Sequence, residues 1–181
     1  ADGYVNTMLV VDGTYHLFYQ GHEDGLPLLR FYDIGHATSD DGVNWVKDPA
    51  NPVLTRGDAG EWDEVSLSTA AVIHDGTEFR MWYAGNSGEG DAVGYAFSRD
   101  GTTWTKHEAN PVMGPGPAGA FDDYGLAPGT VILDGGTYRM WYTGDHQGED
   151  VYWKIGYAES DDGLNWTRHQ TPVIEPEKGW S

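Results

Sequence analysis

Short runs of alternating apolar and polar residues, separated by glycine turns, follow one another along the whole chain. In the run Phe79–Tyr83, alternate residues belong to one apolar set, and this period of two is typical of a β-strand. The apolar run Ala70–Ile73 precedes it, and Asp75-Gly76 between the two runs is a hairpin turn sequence whose residues tolerate positive φ. No stretch shows helical periodicity. The pattern therefore predicts an all-β protein.

This unit occurs three times. Each copy has an apolar run, an Asp-Gly turn, an aromatic run, a run with small residues, a Ser-x-Asp-Gly turn and a tryptophan. The three tryptophans are about 60 residues apart: Trp45, Trp104 and Trp166. Four strand signals in such a period predict a β-propeller with three four-stranded antiparallel blades, whose strands we call A to D. The predicted division is blade one, 1–54; linker and blade two, 55–113; linker and blade three, 114–174; and the start of a further linker, 175–181.

The two ends of the chain match each other. Trp62 and Phe121 each stand 13 positions before an Asp-Gly turn, and joining the ends would put Trp180 at the same distance before Asp12. Three blades are fewer than the usual four to eight of a ring. The matching ends favour a homodimer that closes a six-bladed ring. The first residue, Ala1 rather than Met, favours a longer protein with further blades. A solenoid monomer is a third alternative.

Composition narrows the function classes. The formal net charge of −19 disfavours nucleic-acid and membrane-surface partners, because both are themselves negative. The absence of cysteine excludes disulfides, cysteine nucleophiles and cysteine zinc sites. No apolar run approaches the length of a membrane span, and the N-terminal residues lack the basic-plus-apolar pattern of a signal peptide. The sequence does not choose between a secreted and a cytoplasmic location.

The repeated unit resembles the furanosidase-like five-bladed propellers, which include glycoside hydrolase families 43 and 32 and the related mannoside phosphorylases of family 130. The residues that carry the resemblance are Gly60–Asp63, Asp75–Gly85, Val93–Gly101, Trp104 and Asn110–Val112, and the third repeat matches as well. The resemblance implies a carbohydrate ligand. It also implies a front face, built from the starts of strands A and the loops between strands B and C, on which a glycan binds or reacts.

The resemblance does not transfer the catalytic carboxylates of these families. Their first acid stands about seven residues before the Asp-Gly turn, where this chain has Val5, Ser68 and Ala127. Two alternatives follow: a glycoside hydrolase-like enzyme with its acids elsewhere, or a non-catalytic glycan-binding or assembly propeller. For the enzyme, the candidate catalytic acids are Glu64, Asp123 and Glu23, of which the first two share one offset at the base of strand A.

Residues that differ between the repeats are free to serve function. The B–C loops hold such charged residues, among them Asp33, Glu89, Asp91 and Asp145. The candidates for substrate binding are Tyr4, Asn6, His22, Arg30, Ser68, His146, Glu149 and Trp153, the last as a stacking platform for a sugar ring. No metal ligand is assigned and no cofactor is expected to be required, although calcium is compatible with so many carboxylates.

Residues that recur in every blade are expected to be architectural. The tryptophans Trp45, Trp82, Trp104, Trp141 and Trp166 are assigned to packing, as are the pairs Trp62-Asp63 and Phe121-Asp122. The Ser-x-Asp-Gly-x-x-Trp turn resembles the Asp-box of sialidases, so Asp41, Asp100 and Asp162 are assigned to stabilising their own turns.

Overall fold

The computed structural model describes residues 4–22, 32–146 and 153–175, and it confirms the all-β prediction and the three blades. Each blade is a four-stranded antiparallel sheet whose strands follow chain order. Blade one is β1 (Tyr4–Val11), β2 (Thr14–Gly21), β3 (Asp33–Ser39) and β4 (Val46–Lys47). Blade two is β5 (Ser66–His74), β6 (Phe79–Asn86), β7 (Asp91–Ser98) and β8 (Thr105–Lys106). Blade three is β9 (Gly125–Asp134), β10 (Thr137–Asp145), β11 (Lys154–Ser160) and β12 (Thr167–Arg168). Within the described ranges, no helix has the length and apolar character that crossing a membrane requires.

The Asp-Gly turn in blade one has the predicted geometry. Val11 pairs with Thr14, so Asp12 and Gly13 alone connect β1 to β2. Both turn residues have positive φ, 49° and 85° respectively. This backbone matches the twist of the two strands that the turn joins.

Strand A is irregular near its start in all three blades. The register shifts between Val5 and Thr7 in β1, between Ser68 and Ala70 in β5, and opposite Trp141 and Tyr142 in the pairing of β9 with β10. A β-bulge of this kind re-aims the side chains beside it. In blade one the extra residue is Asn6, a predicted binding residue.

The blades pack face to face, with β5 in contact with both β1 and β9. One apolar cluster joins blades one and two and includes Phe18, Leu67 and Met81. A second joins blades two and three. Polar contacts cross both junctions: Thr7 Oγ1 donates to Ala70 O at 2.6 Å, and Trp82 Nε1 donates to Gly163 O. Closure of a ring by a second copy stays a prediction.

Three of the five recurring tryptophans, Trp82, Trp104 and Trp166, pack in the apolar clusters between blades, as predicted. Trp82 is fully buried, and the ring of Trp166 meets it edge-on at 5.9 Å. Trp104 meets the ring of Phe18 edge-on at 5.6 Å, across the junction of blades one and two. These three indole rings therefore pack in or against the apolar clusters.

The Asp-box acids stabilise their own turns, which confirms that prediction. Asp41 accepts hydrogen bonds at 2.8 Å from the backbone N–H groups of Val43 and Asn44. Hydrogen bonds to Asp100 lower its pKa to about 2, and the one from the backbone N–H of Thr103 contributes most. Similar hydrogen bonds hold the pKa of Asp162 below its ordinary value.

Candidate functional site

The front face is the end of each sheet where strand A starts and the B–C loop lies. At this end, Ser66 pairs with Asn86 in blade two, and Gly125 pairs with Asp145 in blade three. The B–C regions of blades one and two each reach the strand A start of the following blade. Tyr32 O, beside β3, accepts from Leu67 N on β5 at 2.9 Å. The front face therefore brings neighbouring blades together at each junction.

At the junction of blades two and three, two predicted site residues are in direct contact. Asp123 Oδ1 lies 2.7 Å from His146 Nδ1, and 13% of the Asp123 side chain is exposed. The other carboxylate oxygen, Oδ2, accepts from Gly119 N at 2.7 Å. The residues are 23 positions apart in sequence, so the pairing arises only when the linker ahead of β9 reaches the end of β10.

A second carboxyl at this junction is Asp91, at the start of β7. Asn86 Nδ2 donates to Asp91 Oδ1 at 2.7 Å. Burial raises the pKa of Asp91; the Asn86 hydrogen bond opposes this effect, and the negative charge of Asp145 adds to it. A Cβ atom at Gly125 would lie only 2.8 Å from Asp91 N, so a glycine permits the close approach of the two blades.

Sequence reasoning placed Asp91 in a B–C loop but did not separate it from the other loop acids. The distinguishing property of Asp91 is its half-buried position near Asp145, which lies 54 positions away and belongs to another blade. Neighbouring Glu89 is exposed, although it looks equivalent in sequence. No local signal distinguishes the two.

Glu64 is a turn residue in this fold. Its Oε2 accepts from Gly60 N at 2.5 Å, as Asp123 Oδ2 accepts from Gly119 N. The shared offset of the two acids therefore reflects a shared linker turn, and only Asp123 also pairs with a histidine. The third candidate acid, Glu23, lies outside the described residues.

In blade one, the structure brings two predicted binding residues together through Tyr32. The Tyr4 ring meets the Tyr32 ring at 6.5 Å, and Tyr32 meets the His22 ring at 5.9 Å, both edge-on. Tyr4 is 53% exposed. Sequence analysis missed Tyr32, although it stands three positions before Gly35, as Trp153 stands three positions before Gly156.

The remaining candidates are dispersed. Asn6 Nδ2 is buried and makes no hydrogen bond within the described part of the chain. Ser68 lies half-buried in β5, beside the bulge, whereas Trp153 is 54% exposed immediately before β11. Arg30 and Glu149 lie outside the described residues.

Metal binding receives no geometric support. Across residues 4–22, 32–146 and 153–175, no three His, Cys, Asp or Glu side chains are grouped closely enough to hold an ion. His22 and His146, which occupy like positions in the sequence, lie in different blades with different neighbours. Calcium stays a prediction.

Comparison with known proteins identifies the family that the chain resembles. Residues 4–123 match the family model described as the glycosyl hydrolases family 32 N-terminal domain. The chain is 30% identical over 137 residues to an uncharacterized protein of Mycobacterium tuberculosis, covering 70% of this chain and 44% of that protein. It is 26% identical over 141 residues to a beta-1,2-mannobiose phosphorylase of Thermoanaerobacter sp., covering 70% and 46%.

Among solved structures, the fructan 1-exohydrolase IIa of Cichorium intybus superposes with a TM-score of 0.74 at 26% identity. The match covers 93% of this chain and 31% of that enzyme. This chain thus spans less than half the length of each of these relatives.

Proposed function

Since the chain belongs to the glycosyl hydrolase family 32 N-terminal domain family, we propose that its front face binds a glycan and that Asp91, Asp123 and His146 form the reactive part of that face. The observation that carries this proposal is that all three residues lie at the junction of blades two and three. One carboxyl there has a raised pKa, and the other is paired with a histidine.

The two carboxyls suit opposite roles. Asp91 is biased towards its protonated form and suits a general acid, which gives its proton to the oxygen of the scissile glycosidic bond. As that C–O bond breaks, a water molecule adds to the sugar carbon. Asp123 accepts the proton that this water loses, with His146 beside it to orient the carboxylate.

Polar and aromatic groups on the same face support sugar recognition. Tyr4 and Trp153 are each about half exposed, and aromatic rings suit the apolar faces of sugar rings. The buried Nδ2 of Asn6, unpaired among the described residues, is a donor that a sugar hydroxyl would satisfy. We expect a carbohydrate ligand rather than a nucleic acid or a membrane.

A second candidate function is glycan binding without catalysis. It is favoured by Val5, Ser68 and Ala127, which carry no carboxylate at the positions that the family resemblance assigns to its first acid. Under this alternative, the front face retains affinity and lacks turnover.

The test is a hydrolysis and binding assay of the full chain with fructan oligosaccharides and β-1,2-mannobiose. We expect a sugar to raise the melting temperature, and Asp91→Asn to abolish turnover while sugar binding survives. The matched control is Glu89→Gln, which removes an exposed acid from the same loop.

Binding without turnover in the unmodified chain would favour the second candidate. Failure of every sugar to bind would overturn both. Turnover that survives in Asp91→Asn would remove Asp91 from the assignment.

A further inference from the structure

Asn86 and Asp91 are the last residue pair of the hairpin that β6 and β7 form, and their side chains meet at the front-face end of blade two. Asn86 Nδ2 donates to Asp91 Oδ1 at 2.7 Å. The loop between them has positive φ at Gly88 and Gly90, 100° and 110° respectively. A Cβ atom at Gly90 would overlap Tyr124 O, so the end of the hairpin is packed against the linker ahead of β9. The pair therefore lies on a supported backbone.

The orientation of the Asn86 amide is set within its own loop. Asn86 Oδ1 accepts from Gly88 N at 2.5 Å, which leaves Nδ2 as the group that faces Asp91. A flipped amide would turn Nδ2 towards the Gly88 N–H, which is a donor as well. The hydrogen bonds therefore select one orientation, in which the Asp91 carboxyl meets a donor.

Asn86 occupies one oxygen of the Asp91 carboxyl and not the other. A neutral carboxyl has one oxygen that carries the proton and one that only accepts. Because Asn86 Nδ2 is a donor, Oδ1 has to be the accepting oxygen, and the proton belongs on Oδ2. Within the described part of the chain, Oδ2 makes no hydrogen bond, and Asp91 is only half-buried. Oδ2 is therefore the oxygen from which a proton can pass to a ligand.

Asp145 acts on the same carboxyl from blade three, at the place that Asn86 has in blade two. Val65 N donates to Asn86 O at 2.9 Å. Tyr124 N donates to Asp145 O at 3.0 Å in the same way. The two residues affect Asp91 in opposite directions: burial raises its pKa most, the Asn86 hydrogen bond lowers it, and the charge of Asp145 raises it.

The pairing of an amide with an acid is specific to blade two among the three blades. Counted from the glycine of strand C, the counterparts of Asp91 are aromatic: Tyr32 and Trp153. Counted from the last glycine of strand B, the counterparts of Asn86 are His22 and Asp145. Linker and turn residues that build the blades recur from one repeat to the next, so the blade fold does not require the Asn86–Asp91 pair.

We propose that Asn86 is a positioning residue for Asp91: its amide holds Oδ1, so that the carboxyl presents its proton on Oδ2. Asp145 opposes Asn86 and favours the protonated form. The role of Asn86 rests on the general-acid role of Asp91 proposed above. In that reaction the Oδ2–H bond breaks as the proton passes to the glycosidic oxygen, the C–O bond to the leaving sugar breaks, and the carboxylate that remains keeps the hydrogen bond from Asn86.

The test follows the titration of Asp91 itself, by carbon-13 NMR of the full chain labelled at its aspartate carboxyls. The Asp91 signal is the one that Asp91→Asn removes. Asn86→Asp keeps an acceptor for Gly88 N and replaces the donor with a carboxyl, so we expect it to raise the Asp91 midpoint by at least about one pH unit. Asn86→Ala removes the donor without adding a charge, and we expect a smaller rise.

Two further variants test the sign and the specificity of these shifts. Asp145→Asn removes the opposing charge and is expected to lower the Asp91 midpoint. The matched control is Glu89→Gln, which removes an exposed acid from the same loop. It is expected to leave the midpoint within about 0.3 pH units, because solvent and salt screen an exposed charge.

With a sugar that the chain hydrolyses, the same variants separate positioning from packing. The alkaline limb of the kcat profile should move with the Asp91 midpoint, and kcat of Asn86→Ala should fall about tenfold because the proton is no longer confined to Oδ2. A fall in kcat with an unchanged pH profile would overturn the proposal, because loss of packing alone has that result.

The NMR titration needs no sugar, so its outcome is independent of turnover. Shifts of the expected sign in a chain that hydrolyses no sugar would support the hold of Asn86 on Asp91 and would contradict the general-acid role proposed above. Midpoints that stay unchanged in both Asn86→Asp and Asn86→Ala would overturn the positioning role, whether or not the chain turns over a sugar.

Discussion

Lys106 Nζ lies 2.6 Å from Asp63 Oδ2, so the last strand of blade two is tied to the linker that leads into its first strand. The Asp63 side chain is 1% exposed. Removal of the lysine would leave a carboxylate buried with the Tyr83 hydroxyl as its remaining side-chain partner. Unpaired buried charges are among the most destabilising changes in a folded protein.

Lys106→Ala is therefore expected to lower the free energy of unfolding by about 2–3 kcal/mol, somewhat less than full burial of the pair would imply. Lys106→Arg is the control, because in blade three Arg168 pairs with Asp122 at the equivalent place. This variant should lose little stability. Urea denaturation at pH 7 measures both variants. Equal stability of Lys106→Ala and the unmodified chain would contradict the assignment of this pair to the architecture.

Glycines at one position of strand B should respond differently in different blades. A Cβ atom at Gly85 would lie 2.6 Å from Asp63 Cβ, and at Gly144 it would lie 2.8 Å from Asp122 Cβ, so alanine forces the linker outwards at both positions. We expect Gly85→Ala and Gly144→Ala to cost about 1–3 kcal/mol each. Gly21→Ala meets only an ordinary contact and should change stability by less than about 0.5 kcal/mol. Thermal unfolding compares the three, and a large loss for Gly21→Ala would show that its position is already filled.

Asp91 is expected to make the fold less stable as pH rises. Its pKa is raised above its unfolded value of about 3.9, so its contribution to stability is full below that value and is lost as pH rises through the folded pKa. Asp91→Asn should therefore raise the melting temperature at pH 7, and the gain should vanish near pH 4. Melting curves from pH 4 to pH 8 provide the test, with Glu89→Gln as control. A gain that does not depend on pH would contradict a charge effect.

His16 is expected to have the opposite pH dependence. It packs beside His36, with His16 Nδ1 3.0 Å from His36 Nε2, and His74 lies on its other side across Phe79. Burial lowers the pKa of His16, and electrostatic repulsion from the neighbouring His36 and His74 side chains lowers it further. Asp48 is the acid of this cluster, and it holds His36 Nδ1 at 3.1 Å.

The stability that neutral His16 contributes is present above its unfolded pKa of about 6.5 and is lost as pH falls through the lower folded value. We expect the melting temperature to fall between pH 7.5 and pH 5.5, and the fall to be smaller in His16→Gln. Calorimetry at several pH values gives the measurement. Exposed His169→Gln is the control. An identical pH profile for His16→Gln would show that another group causes the acid sensitivity.

The blade architecture could be predicted from sequence, because its determinants are local. Asp12-Gly13 specifies its hairpin through the φ angles that these two residues tolerate. Asp41 specifies its turn by accepting hydrogen bonds from residues two and three positions ahead. Such interactions repeat wherever the same few residues recur.

The repeat also separated architecture from function correctly for Trp82, Asp63 and Asp122, which are buried. At Glu64, the offset shared with Asp123 corresponds to a shared turn, and a catalytic role for Glu64 stays a prediction. Comparing the repeats identifies residues that the blades share, whereas a functional site is built from residues that differ between them.

By itself, the sequence determined the all-β class, the three four-stranded blades, the turns and the resemblance to furanosidase-like propellers. Only the tertiary structure decided that Asp123 meets His146 and that Asp91, unlike the exposed Glu89, is half-buried near the charge of Asp145. These properties depend on contacts between segments tens of residues apart. Such contacts form where one blade packs on the next, because burial and charge act through space rather than along the chain.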